Sequence, residues 1–530
     1  TSGTGDIALA DADIGSLTID DADDVDFNGD FATTGDVQVG TTEVENITVA
    51  GGGSVAAGGR LAFTADLNAL LNGNVSAGDD LSVRAVDDIT VQNALLSAGG
   101  TLTLAADTNV GTVGDLEIVD STVTGNGVTL STGDATILLD GSAVSGGTGS
   151  VSLQNPLLVQ DAVTVGTDDG DVTFTGIVDE DTSGTLTVNA LGGTATFQEA
   201  VGGTDPLQTL TVSALDSDFQ DTVTVAGAFE INGLGNTTTW HDDILAGSVT
   251  VNDNVVLDDT DDDNGITVGT TSDGAIYIGG TVDSVAGTPQ AFVLDPDGDG
   301  LVTLKDSLGS QNALALLEID ADGQTELNKE IRTTGAINLG TATDIQLGSD
   351  VSMVAGGPVT FGAADSSLDG QFALNVDAGD DITVNSAVGT LGPDALLTEL
   401  RLLTSGNVTV EETARAMTTT IEGQAVTLNG SLLDGIHDAF VTTLGGDLTV
   451  GGNVRGEKVL LRKLTGGDIL IQASQNNPFG DTTLQSGNET QIDQSMYALG
   501  DLRMSSRQQT TVDADLTVGG DSDMTVETLG

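Results

Sequence analysis

The chain is expected to fold as an all-β, parallel β-helix: a β-solenoid of about 24 coils, ~21 residues per coil, with three short strands in each coil. Three observations lead there. One phrase recurs at a nearly fixed step. Apolar residues alternate with small polar ones in short bursts. Gly-Asp, Asp-Asp and Asn-Ala pairs separate the bursts.

The repeat is plainest over Thr173–Val225 and just beyond it. The phrase is a large apolar residue, three mostly polar or small residues, then another apolar residue. It reads Phe174-Thr-Gly-Ile-Val178, Phe197-Gln-Glu-Ala-Val201, Phe219-Gln-Asp-Thr-Val223 and Trp240-His-Asp-Asp-Ile244, with steps of 23, 22 and 21 between lead residues. Earlier copies start at Phe27, Leu71, Val91, Val119 and Val159. Later ones start at Ile278, Leu304, Leu327, Leu347, Val384, Leu428, Val450 and Val512. The frame weakens near 351–384 and 454–512. A step of this size marks a solenoid, in which no coil buries its own core and stability comes from stacking.

Within one coil, Val75 to Leu95, the bursts are Leu81/Val83, Ile89/Val91 and Leu95. Alternation at period 2 describes a strand with one buried face. Between bursts stand units such as Gly35-Asp36, Gly114-Asp115, Gly170-Asp171, Gly446-Asp447 and Gly467-Asp468. Gly permits the positive φ of a tight corner, and Asp can bond its own backbone in an Asx-turn. All seven Pro residues fall between bursts, as expected where internal strands need every N–H. Phe174, Phe197, Phe219 and Trp240 are expected to stack as an interior aromatic ladder. Gln198 should lie outside.

Composition sets the bounds. Length alone would suggest several domains, but an unbroken repeat implies one continuous solenoid over 1–530. The chain has 73 Gly, no Cys, 81 Asp plus Glu and 13 Lys plus Arg, a formal charge of −68. Such a surface repels nucleic acid and anionic lipid and attracts cations. Without Cys there are no disulfides, thiolate metal sites or thiol nucleophiles. No apolar run approaches the ~18 residues of a membrane span, so no membrane insertion is expected. The opening Thr1-Ser-Gly-Thr-Gly-Asp suggests a processed or excised chain.

The Gly-Asp-Ile/Val-x-Val units, the phrase from Gly170 to Gly203 and its continuation Thr204-Asp-Pro-Leu-Gln-Thr-Leu-Thr-Val212 resemble the filamentous-haemagglutinin-like family. These are giant secreted bacterial β-helix proteins that include two-partner-secretion adhesins. The resemblance is dense over about 165–390 and thinner elsewhere. It implies a right-handed helix, an extracellular or cell-surface location in a bacterium, and a structural or adhesive role. The family's N-terminal secretion domain is not recognisable, and there are no family catalytic or binding residues to carry over.

The sharpest local signal is Asp295-Pro-Asp297-Gly-Asp299-Gly-Leu301-Val-Thr-Leu-Lys-Asp306. It follows the calcium-loop order: oxygen ligands from Asp295, Asp297 and Asp299, Gly at the sixth position, the Leu301 carbonyl, and Asp306 at the twelfth. Asp rather than Glu closes it, and no helices flank it. The competing reading is a plain acidic turn. Asp258-Asp-Thr-Asp261-Asp-Asp-Asn264 and Asp320-Ala-Asp322-Gly-Gln-Thr-Glu326 read as solvated acidic corners. The two histidines, His241 and His437, are too far apart for one site, and His241 should face solvent. No nucleophile elbow, phosphate loop or zinc spacing occurs. Eight of the thirteen basic residues lie in 401–530; this more basic C-terminal segment reads first as charge balancing on a long acidic rod, and second as a segment that meets an acidic partner face, such as the next subunit.

The expected function is therefore a non-enzymatic, secreted structural fibre: an extracellular filament subunit or cell-surface adhesin stalk with calcium as a candidate ligand and a cell-surface or matrix target. Both ends read in repeat grammar, so identical copies would stack head to tail, or the chain would be part of a longer adhesin. The alternative is a β-helix lyase or hydrolase acting on acidic glycans. An ice-binding solenoid ranks last, because Thr-x-Thr pairs do not recur in successive register in the sequence.

Overall fold

The computed structural model describes residues 5–108, 114–233, 235–259, 265–389, 396–433, 438–477, 480–519 and 522–528. Every regular element among them is a β-strand. The strands pair in parallel with partners about 22 residues apart, a β-solenoid of about 22 turns. That is fewer than the sequence step suggests, because some turns are longer: Leu102 pairs with Val128, and Ile89 with Leu116.

The chain divides into two compact units, Thr1–Val256 and Leu257–Gly530. In the first, one turn contains the strands Leu61–Ala65, Asn68–Leu71 and Asn74–Ala77. The next contains Leu81–Ala85, Ile89–Gln92 and Leu95–Ala98, each in parallel register with its predecessor. The second unit repeats the plan. One of its faces is a ten-stranded parallel sheet running from Glu330–Thr333 to Met524–Thr528.

The repeat phrase marks a corner. Its lead residue ends one strand, the three middle residues turn, and its last residue opens the next inward position. Phe174, Phe197, Phe219 and Trp240 stand in one register column, all buried. The Phe174 and Phe197 rings stack at 4.7 Å and 7°, and Phe197 and Phe219 at 4.9 Å and 4°. That spacing is the inter-strand distance, so the backbone ladder sets the ring stack. Beyond Phe219 the ring contact changes: Phe219 meets Phe229 edge-on at 5.4 Å. Gln198 is exposed, as expected.

A second corner shows why particular residues occupy it. Gln92, Val119, Asp140 and Gln160 stack in register, so the next residues are Asn93, Asp120, Gly141 and Asp161. All four have left-handed backbones, with φ of 51°, 47°, 54° and 53°. Asn, Asp and Gly are the residues that adopt that region at least cost. Just inside, Ser121 donates to the carbonyl of Val119 and Ser142 to that of Asp140, each at 2.7 Å.

Two details depart from expectation. Short strands fuse where a corner is shallow: Thr185–Phe197 and Leu207–Phe219 each run 13 residues, with a register shift between Ala190 and Thr194. Pro296 lies within a strand, as the last residue of Ala291–Pro296. Pairing with the following turn has already ended at Leu294, so its missing N–H breaks no bond there. Pro156, Pro206 and Pro358 immediately precede strands, and Pro289 precedes one by two residues. Pro393 and Pro478 lie outside the described residues.

Candidate functional site

The acidic residues that dominate the composition have a positional role. The carboxylate of Asp36 accepts the backbone N–H of Arg60 at 2.9 Å, one turn later. Asp171 does the same for Thr194 at 2.9 Å, Asp381 for Asn407 at 2.7 Å, Asp447 for Asp468 at 2.9 Å and Asp481 for Asp501 at 2.8 Å. Bonds to the chain's own next residue also occur, as from Ser307 to Asp306 at 2.8 Å. The prevailing use of a corner Asp is nonetheless to staple one turn to the next. The ionised form makes the stronger acceptor. The Thr101 N–H, followed by the Thr101 hydroxyl, holds the Asp80 carboxyl below its usual range, and the Asp523 N–H with Arg503 does so for Asp501.

The five residues of the calcium-type loop are placed separately. Asp295 is exposed one residue before the end of its strand; partial desolvation of its carboxyl by neighbouring atoms, then repulsion from Asp320 and Asp297, raises it above the ordinary range. Asp297 accepts from the Ser272 N–H at 3.1 Å. Asp299 donates its own N–H to Asp273 at 3.0 Å. The Leu301 carbonyl, which a closed loop would turn toward the ion, accepts the Ile276 N–H at 2.8 Å in the inter-turn ladder. Asp306 stands beyond the intervening strand Val302–Leu304, capping Ser307. The left-handed glycine is Gly298, not Gly300 at the sixth position, and a Cβ on Gly298 would lie 2.1 Å from Asp273 Oδ1. Among the described residues no group of three or more acidic or histidine side chains gathers as a metal site.

The other acidic stretches behave as corners. Residues 260–264 of the Asp258–Asn264 stretch lie outside the described residues; Asp259 accepts the Gly265 N–H at 2.9 Å. Glu326 takes the Lys305 ammonium at 2.6 Å, which lowers its carboxyl pKa ahead of a smaller contribution from Asn328.

His241 differs from its expected place in solvent. Its Nε2 lies 3.0 Å from Asp218 Oδ1, and only 18% of the side chain is exposed. Register explains this: Asp218 pairs with Thr239, so His241 follows one turn above. The histidine bond is the largest influence lowering Asp218, with Gln220 adding to it. His437 lies outside the described residues.

Sequence reasoning missed Lys463. It occupies an inward corner position in register with buried Thr443, where elsewhere Thr, Ser, Ala or Gly stands. Its ammonium is buried, has no hydrogen-bond partner, and lies 3.5 Å from Asp447, which is 65% exposed. Desolvation lowers its pKa; Asp447 and Asp468 oppose that. Just outside, Asp447, Thr449, Asp468, Leu470, Glu489 and Gln491 line a shallow cleft with carboxylates on three successive turns. The one sequence cue was a Lys ending an alternating strand, Lys458–Lys463, at an inward parity.

No family model matches the chain, and no curated protein or solved structure matches it either.

Proposed function

We propose that this chain is a structural fibre protein: a subunit of an extracellular filament, or the stalk of a bacterial cell-surface adhesin, joined to copies of itself or to the rest of a longer adhesin. The observation that carries the reading is the turn-to-turn stapling. Backbone ladders and corner carboxylates link each turn to the next within each unit, so a pull along the stack is resisted by many bonds at once. A lone ligand site would not require this repetition. The dense negative surface attracts cations, and calcium enters as a counter-ion to the corners. Imaging and force spectroscopy of the purified chain test the reading. Elongated particles that unfold at high force in small regular steps support it; compact particles that open at low force in one event would sink it.

A second reading has one specific observation in its favour. Asp447, Asp468 and Glu489 stack one turn apart in a cleft with Lys463 behind them, and glycan-cleaving enzymes work with paired carboxylates. The first two are already engaged as N–H acceptors, which favours the corner role. Turnover of pectin, alginate or chondroitin that disappears in Glu489→Gln would reverse that preference.

A further inference from the structure

Two outward patches break the habit of small hydroxyl residues on the strand faces. In the first unit Glu117, Leu138, Leu158 and Asp179 form one outward column on successive turns. Leu138 and Leu158 are partly exposed neighbours. Beside them runs the corner bearing Asp120, Asp140, Asp161 and Asp181. Burial, then repulsion from Asp161, Asp120 and Asp181, raises the Asp140 carboxyl. No Lys or Arg occurs between Arg84 and Lys305 to relieve this.

In the second unit the ten-stranded sheet carries the column Arg401, Thr420, Phe440, Leu460, Thr483 and Arg503. Among the described residues, Phe440 is the one phenylalanine within a strand that points outward. It adjoins Leu460, and both are partly exposed. Lys458 and Arg462 flank Leu460 on its own strand. Ion pairs among the described residues use Arg60, His241, Lys305, Arg332, Lys463 and Arg503; Arg401, Lys458 and Arg462 have none. Lys458 stands in register with Asp481 on the next turn, but none of the three cations forms an ion pair among the described residues.

The patches are complements. Each centres on two apolar side chains one turn apart, one flanked by carboxylates and the other by Lys458 and Arg462, with Asp481 beside Lys458. Both repeat at the same rise, about 4.8 Å per turn, because both belong to the same kind of stack. A partner with another repeat would lose register after a turn or two. We propose that the Phe440–Leu460 face is a lateral docking surface for the Leu138–Leu158 face of a second copy, with Arg401, Lys458 and Arg462 meeting Glu117, Asp140 and Asp179. The contact is heterologous: one face of a copy meets a different face of the next. It rests on the fibre reading and supplies its lateral partner. It also gives the strongly negative chain one place where side-by-side approach is attractive.

The test is sedimentation velocity of the full chain at about 0.15 M salt, from roughly 1 to 500 μM, a range spanning weak contacts. The wild type should shift to faster species as concentration rises. Lys458→Glu with Arg462→Glu should weaken association at least about tenfold, a change of about 1.4 kcal/mol. Glu117→Lys with Asp140→Lys should do the same. All four side chains point outward, so melting curves should show both variants folded. Mixed, the two variants should associate again, because each then faces a complementary patch. A wild type that stays monomeric throughout, variants that associate like the wild type, or a mixture that stays apart would each overturn the proposal. Overturning it leaves elongated, force-resistant particles in place, whereas failure of the fibre reading shows in the particles themselves.

Discussion

Two stretches with nearly the same turn length differ in what shares their apolar interiors. Between 172 and 240 the inside is a column of aromatic rings, Phe174, Phe197 and Phe219, stacked at the strand spacing with Trp240 in register above. Between 454 and 506 the inside keeps apolar residues such as Leu461, Ile471 and Leu484 but also contains Lys463, Gln475 and Asn477. Gln475 accepts the Val454 N–H at 2.9 Å and donates to the Gly452 carbonyl at 2.8 Å. Asn477 accepts the Gly456 N–H at 3.3 Å and donates toward Gly480, Asp481 and Thr482. The difference teaches that the stack imposes a rise and a parity, not a chemistry. Where backbone at the corners is satisfied by its neighbours, the interior can be apolar. Where a corner leaves N–H groups facing inward, buried amides take over, because an unmet buried donor costs more than the amide's own burial.

The largest effect expected from breaking this contrast is Phe197→Asp. It puts a charge between two rings less than 5 Å away on either side, with no cation inside. A loss above about 4 kcal/mol, or failure to fold, is expected. Gln198→Ala, one residue along and exposed, should change the melting midpoint little. Comparable losses from both would show that the inward parity is misassigned.

Next in size is Asn477→Leu in the polar stretch. Leucine fills the space but leaves the Gly456 N–H without an acceptor, at a cost of about 1–3 kcal/mol. Denaturant unfolding measures this. A stabilised variant would mean that the stretch tolerates an aromatic-type interior after all. Smaller still is Lys463→Met, which removes a buried ammonium whose ion-pair partner, Asp447, is largely exposed. Replacing such a group with an apolar side chain is expected to be neutral or stabilising by about 1 kcal/mol. The two stretches thus answer buried charge in the same sense: adding one inside the first is costly, and removing one inside the second is neutral or favourable.

The contrast sharpens with pH. Asp218, in the first stretch, has a lowered carboxyl because His241 bonds to it. Its contribution is present above the ordinary carboxylate range and is lost as pH falls through the lowered folded value. Lys463 also has a lowered pKa, from desolvation, but as a base its sign is reversed. Between its folded value and the ordinary lysine value the unfolded chain binds the extra proton, so stability rises with pH across that window. Hydrogen exchange should therefore show the 172–240 amides loosening in acid, and those around 454–485 tightening in alkali in a way that Lys463→Met removes. Identical pH profiles for the two stretches would contradict these assignments.

How much of this was legible follows from the same contrast. Phe174, Phe197, Phe219 and Trp240 announced their column because large apolar residues at steps near 22 have one reading. Gln475, Asn477 and Lys463 did not, because a polar residue at an inward position looks like a loss of frame. That is why the repeat faded over 454–512, although three strands per turn continue there. The Gly-Asp corners were visible as corners. Their partners were not, since the N–H that Asp171 accepts is 23 residues away and known only once the turns are in register. His241 was misplaced for that reason. The outward Phe440 was hidden because an alternating strand gives the spacing of its two faces but not which one is inside.

The smallest effect expected is that of calcium, and it tests what the two stretches share, their exposed corner carboxylates. An intact loop of the extracellular type, with a dissociation constant near 10⁻³ M, would add about 0.6 kcal/mol at about 2 mM calcium. Sequence order placed that gain on Asp295, Asp297, Asp299, Leu301 and Asp306. In the structure the Leu301 carbonyl is committed to Ile276, Asp297 to Ser272 and Asp306 to Ser307, so closing the loop would break a rung of the ladder. The remaining route is diffuse: calcium screens corner carboxylates throughout the chain. Melting in calcium should then rise slightly, magnesium should match most of the rise, and Asp297→Ala with Asp299→Ala should keep it. A rise specific to calcium and abolished by that pair would show that the ion is bound tightly enough to pull the ladder open, and would restore the loop as a site.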